Sequence, residues 1–100
     1  MNVLIIEDEQ PAAKRLHKML KEIEPDINVL DSIVSVSTAI KWFAENKTPE
    51  LIFSDIQLSD GLSFEIFKSV NLNCPVIFTT AYDQYAIEAF KVNSIDYLLK

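Results

Sequence analysis

Short apolar runs alternate along this chain with stretches whose apolar residues recur every three or four positions. Residues 3–6 (Val-Leu-Ile-Ile) form the first run, closed by Glu7-Asp8-Glu9. Such an unbroken apolar run predicts a buried strand. Gln10-Pro11 then opens a helix, since proline is tolerated in a first turn. Ala12, Leu16, Met19, Leu20 and Ile23 give that helix one apolar face, with Lys14, Arg15, Lys18 and Lys21 opposite. Glu24-Pro25-Asp26 ends it. Residues 27–33 are rich in β-branched side chains and predict a second strand. Ser35-Val36-Ser37 has the look of a helix cap, and Val36, Ile40, Phe43 and Ala44 mark the next apolar face.

After the loop Asn46-Lys47-Thr48-Pro49, residues 51–55 (Leu-Ile-Phe-Ser-Asp) predict a third strand that ends in a carboxylate. Asp60-Gly61 marks a turn, and Leu62, Ile66, Phe67 and Val70 a third helix. Residues 75–79 predict a fourth strand running into Thr80-Ala81. Tyr85, Ala86, Ala89 and Phe90 predict a fourth helix, and residues 96–99 a fifth strand, followed by Lys100.

Strands that alternate with helices and lack polar alternation imply a parallel sheet covered on both faces. Right-handed crossovers leave few arrangements. The expected fold is α/β: a flavodoxin-like, doubly wound, five-stranded parallel sheet of order 2-1-3-4-5. Ligands in that fold bind beyond the carboxyl ends of the first and third strands, where the winding reverses. Glu7 and Asp8 follow the first strand here, and Asp55 ends the third.

Length and charge narrow the function. One hundred residues make one domain. A net charge of −6 repels phosphate backbones, so nucleic acid is not an expected partner of this segment. Cys74 is the only cysteine, which excludes an internal disulfide and fits a reducing compartment. The apolar start lacks a basic flank, and no run approaches the roughly 20 residues of a membrane span. A cytoplasmic domain without membrane contact is expected.

Three carboxylates in one crevice repel one another unless a cation offsets them or they take up protons. Mg²⁺, a hard cation that accepts one or two carboxylates and keeps waters for a phosphate, suits the set. Asp8 and Asp55 could bind it directly, Glu7 through water, and the backbone carbonyl of Gln57 could add an oxygen. Thr80, after the fourth strand, offers a hydroxyl to a phosphoryl oxygen. Lys100, after the fifth, offers a mobile ammonium. A carboxylate can attack phosphorus and form an aspartyl phosphate, which assigns Asp55 the reactive role. Each residue alone has a plainer reading. An acid after a strand is usually a turn residue, and an acidic helix entry is usually solvated. Tyr97 alone reads as a core or half-exposed aromatic, and His17 as surface. It is the joint placement of Glu7-Asp8, Asp55, Thr80 and Lys100 at four strand ends that carries weight.

At these residues the sequence resembles the receiver domain of two-component response regulators. The matching motifs are Leu4-Ile5-Ile6-Glu7-Asp8-Glu9, Phe53-Ser54-Asp55-Ile56-Gln57-Leu58, Phe78-Thr79-Thr80-Ala81 and Tyr97-Leu98-Leu99-Lys100. The run Thr79-Thr80-Ala81-Tyr82-Asp83-Gln84-Tyr85-Ala86, with Ala89-Phe90, resembles receivers attached to a LytTR-type DNA-binding domain. The resemblance implies that Asp55 accepts phosphoryl from a sensor histidine kinase while Glu7 and Asp8 hold Mg²⁺. It implies that Thr80 and Lys100 bind the phosphoryl group. Tyr97 would change rotamer as Thr80 moves, altering a face used for dimerisation or output. At most the domain would speed its own dephosphorylation.

Two departures stand out. Ser59 occupies a position where many receivers have proline, which is expected to loosen the loop. The sequence stops at Lys100, where receivers continue with proline and a fifth helix. A domain truncated after its fifth strand is therefore expected, with the first helix uncovered and either self-association through that face or marginal stability.

Two other functions fit less well. Phosphatases of the haloacid-dehalogenase type carry a second aspartate two residues past the nucleophile, on the first strand. Here that position is Gln57, and the strand that ends in Asp55 is the third. A flavin or nucleotide module would want a glycine-rich phosphate loop, and Gly61 is the only glycine.

Overall fold

The computed structural model describes residues 1–70, 74–80 and 94–99, with the backbone alone at 80 and 94–99. The elements in order are β1 (Asn2–Ile6), α1 (Gln10–Ile23), β2 (Asn28–Ile33), α2 (Val36–Glu45) and β3 (Leu51–Asp55). A two-stranded ribbon (Gln57–Leu58 with Gly61–Leu62) follows, then α3 (Phe64–Ser69), β4 (Val76–Thr80) and β5 (Ser94–Leu99). The expected helix at Tyr85, Ala86, Ala89 and Phe90 lies outside the described residues, as does Lys100.

The five strands form one parallel sheet in the order β2-β1-β3-β4-β5, the doubly wound arrangement expected. β1 lies between β2 and β3, and Val3, Leu4, Ile5 and Ile6 are all buried. A strand covered on both faces needs apolar side chains at every position, hence the unbroken run. β2 is an edge strand and is mostly exposed. Its register against β1 jumps from Val3↔Val29 to Leu4↔Asp31, so Leu30 bulges out. An extra residue of this kind re-aims its side chain, and Leu30 is 38% exposed.

One sheet face carries the main core. Leu4, Ile6, Ile52, Val76 and Phe78 meet Ala39 of α2 and Phe64 and Ile66 of α3. The Phe78 ring stands edge-on to Phe64 at 5.1 Å and to Phe67 at 5.6 Å. Such pairs add about 1 kcal/mol each beyond their burial.

The other face lies under α1. This helix begins with Pro11 in its first turn and ends where Glu24 N–H donates to the Leu20 carbonyl, just before Pro25. Its buried residue is Ala13, not a member of the predicted stripe. Ala12, Leu16 and Leu20 are half-buried, while Met19 (49%) and Ile23 (78%) are exposed. A small side chain lets the helix approach the sheet closely, and the larger residues then flank the contact.

α3 is shorter than expected. It starts at Phe64, because Leu62 belongs to the ribbon, and Val70 is its extended C-cap. Among the described residues no helix is long and apolar enough to cross a membrane.

Candidate functional site

The sheet register brings the acids to one edge. Ile6 pairs with Ser54, so the next residues along each strand, Glu7 and Asp55, stand level. Asp55 pairs in turn with Thr79, and Thr79 with Leu98. Thr80 and Leu99 form the row beyond, and Lys100 is the next position in sequence.

Glu7, Asp8 and Asp55 each contribute a carboxylate oxygen to a group in which those atoms lie within 4.8 Å of one another. Glu7 is 5% exposed and Asp55 9% exposed, while Asp8 is half-buried. Backbone pairing holds the acids in place. Glu7 N–H donates to the Ile33 carbonyl at 2.8 Å and so carries the β1–β2 ladder one residue past the strand. Asp55 Oδ1 accepts from Ile56 N–H at 2.7 Å, which orients its carboxylate. The hydroxyl of buried Ser54 donates to the Asp55 carbonyl at 2.9 Å.

Anionic oxygens converging in a nearly buried crevice are a hard donor set. They fit a hard divalent cation, which would offset their repulsion. Glu7, Asp8 and Asp55 are therefore brought together as the sequence predicted.

Thr80 ends β4, and Tyr97 lies in β5 paired with Phe78. The side chains of Thr80 and Tyr97, and all of Lys100, fall outside the described residues. Gln57 is an exposed residue in the first strand of the ribbon.

After Asp55 the segment folds back as an antiparallel ribbon, Gln57 against Leu62 and Leu58 against Gly61, around the two-residue turn Ser59-Asp60. Gly61 closes the turn at φ 149°, a region that side chains with a Cβ rarely enter. Ser63 N–H donates to the Ile56 carbonyl at 2.8 Å and ties the ribbon's far end beside the near one.

Asp60 makes the contacts the sequence reading missed. Its Oδ1 accepts from Val36 N–H at 2.7 Å and its Oδ2 from Ser37 N–H at 3.1 Å, at the start of α2. These bonds hold the Asp60 carboxyl below the usual carboxylate range. Nothing local signals this role, because the partners lie 24 and 23 residues away.

A crevice of carboxylates at the switch point of a flavodoxin-like sheet defines a class of α/β domains that bind ligands beyond β1 and β3. Comparison narrows the class to one family. The family model described as the response regulator receiver domain matches residues 3–100. The sensory transduction protein LytT of Bacillus anthracis is 39% identical over 103 residues, covering 100% of this chain and 41% of its own length. A two-component response regulator from Clostridium difficile has a structure with TM-score 0.85 at 30% identity, covering 100% of this chain and 83% of that one. The response regulatory domain of MrkE from Klebsiella pneumoniae has TM-score 0.82 at 31% identity, with the same coverage. The chain belongs to the response regulator receiver domain family, and is a signalling domain of two-component systems. It spans about two-fifths of the length of LytT.

Proposed function

We propose that Asp55 is the phosphoacceptor of this receiver and that a sensor histidine kinase is the donor. The supporting observation is the convergence of Glu7, Asp8 and Asp55 within 4.8 Å at the carboxyl ends of β1 and β3. An Asp55 carboxylate oxygen attacks phosphorus. The new O–P bond forms as the donor's P–N bond breaks, and the departing imidazole keeps the electron pair and takes up a proton. The Ile56 N–H holds Oδ1 and fixes the plane of the attacking group.

Glu7, Asp8, Asp55 and the Gln57 carbonyl are the residues that would hold Mg²⁺. When bound, the ion offsets the charge of the carboxylates and of the transferring phosphoryl group. Thr80 donates its hydroxyl to a phosphoryl oxygen, and Lys100 supplies the opposing cation. With Thr80 drawn toward the phosphoryl group, Tyr97 on the neighbouring strand changes rotamer, and the surface around β5 shifts between two states. That surface is the dimerisation or output face, and the output is a LytTR-type DNA-binding domain in the cytoplasm. Hydrolysis of the aspartyl phosphate by the domain itself resets the switch.

The test is incubation with a small phosphoryl donor such as acetyl phosphate, with and without Mg²⁺, followed by intact-mass analysis. One phosphoryl group should be gained in Mg²⁺, and none in EDTA or in Asp55→Asn. A gain that persists in Asp55→Asn sinks the assignment.

A further inference from the structure

The turn that follows the acidic site is held by a residue with no part in its chemistry. Asp60 sits at the tip of the ribbon and bonds the first two N–H groups of α2 through both of its oxygens. The next N–H of that helix, Thr38, is already taken by the Ser35 hydroxyl at 3.1 Å. Asp60 and Ser35 thus divide the work of satisfying one helix start. They differ in what else they restrain. Ser35 is the helix's own N-cap and restrains only α2. Asp60 belongs to the ribbon and fastens it to α2 across the sequence.

The ribbon is tied near Asp55, where Ser63 N–H meets the Ile56 carbonyl, and Leu58 and Leu62 pack into the core. Asp60 adds a polar tie at the tip, on the other side of Gln57. Apolar packing holds the ribbon against the core but is non-directional, so it does not by itself fix the course of the backbone at the tip. Pinned at both ends, the ribbon's backbone keeps one path past the crevice. The bonds that hold the pin are charge-assisted and stronger than neutral ones. The negative charge also sits at the positive end of the α2 dipole.

We propose that Asp60 is a positioning residue, clamping the ribbon to α2 so that the Gln57 carbonyl is held in place for the divalent cation. The inference rests on the reading that Glu7, Asp8, Asp55 and the Gln57 carbonyl form a cation site. It assigns the clamp to a contact between separate elements, and the ligand set is preorganised before the cation arrives.

The test is a calorimetric titration with MgCl₂ of the unsubstituted protein and of Asp60→Ala, Asp60→Asn and Ser35→Ala, with the thermal midpoint of each. Loss of a supporting bond of this kind costs about tenfold in metal affinity. Asp60→Ala should show that loss. Asp60→Asn keeps an acceptor for one N–H, should weaken binding less, and serves if the alanine variant fails to fold. Ser35→Ala removes a cap from the same helix and should lower the thermal midpoint while leaving Mg²⁺ affinity unchanged. Equal Mg²⁺ affinity in the Asp60 variants and the parent would overturn the clamp and leave the cation site standing. Equal weakening in Ser35→Ala would overturn it too, by showing that any loosening of α2 has the same effect. A parent protein that binds no Mg²⁺ would overturn the cation site and the clamp together.

Discussion

Replacing Asp8 by asparagine should stabilise this domain without Mg²⁺ and penalise it with Mg²⁺. Oxygens of Glu7, Asp8 and Asp55 lie within 4.8 Å of one another. At that separation two unit charges repel by about 0.9 kcal/mol in a water-like dielectric and about 3.5 kcal/mol at an effective dielectric of 20. Asp8 is the most exposed of the three, so its interactions fall toward the lower figure. Asparagine keeps the shape and removes two of the three repelling pairs. The expected gain in EDTA at pH 7 is about 1–2 kcal/mol. Saturating cation reverses the order. At a free concentration near 100 Kd, the parent gains about 2.7 kcal/mol from binding. Asp8→Asn, lacking one charged ligand, gains less. The assay is urea unfolding followed by circular dichroism, in EDTA and in excess MgCl₂. A variant less stable than the parent in EDTA would refute the repulsion argument, whatever happens in Mg²⁺.

Other outcomes follow from the fold. Phe78→Ala removes a fully buried ring that contacts two others, and should cost about 3–5 kcal/mol of unfolding free energy in the same urea assay. Gly61→Ala puts a Cβ on a residue at φ 149°, where its nearest neighbour, Val36 Cγ2, is at an ordinary 3.9 Å. The penalty is therefore conformational, about 1 kcal/mol or more, read as a lower thermal midpoint. Ser63→Ala should act in the opposite sense. Its hydroxyl is fully buried and has no partner among the described residues, so its removal should raise stability by about 1 kcal/mol. Asp60 contributes an acid limb. Its carboxyl is lowered from an ordinary 3.8 by the α2 N–H groups, so its stabilisation is present above 3.8 and lost as pH falls through the lowered value. Asp60→Asn should flatten that limb in a pH series of urea midpoints.

The sheet was legible because parallel strands buried on both faces leave apolar runs that little else in a small domain produces. Glu7, Asp8 and Asp55 were legible because each breaks such a run at its carboxyl end, where this fold binds its ligands. The ribbon around the next turn was not. Asp60-Gly61 marks the turn, but the pairing depends on Gln57 meeting Leu62 and on Asp60 reaching a helix start that lies far back in the sequence. α1 shows the opposite limit. Its periodicity located the helix, but hydropathy favours large side chains, and the residue it buries is small Ala13. The bulge at Leu30 left no mark either, because an edge strand that mixes apolar and polar residues and is mostly exposed has no strict alternation for an extra residue to break.

If the carboxylate ending β3 carries the phosphoryl group, borohydride reduction of protein treated with acetyl phosphate and Mg²⁺ will show where it sits, because an aspartyl phosphate is reduced to homoserine and stays marked through peptide mapping. Homoserine is expected at position 55 alone, and none when Mg²⁺ is withheld. Homoserine at Asp8 or Asp60, or a stable phosphoryl ester elsewhere with position 55 unmodified, would contradict that assignment.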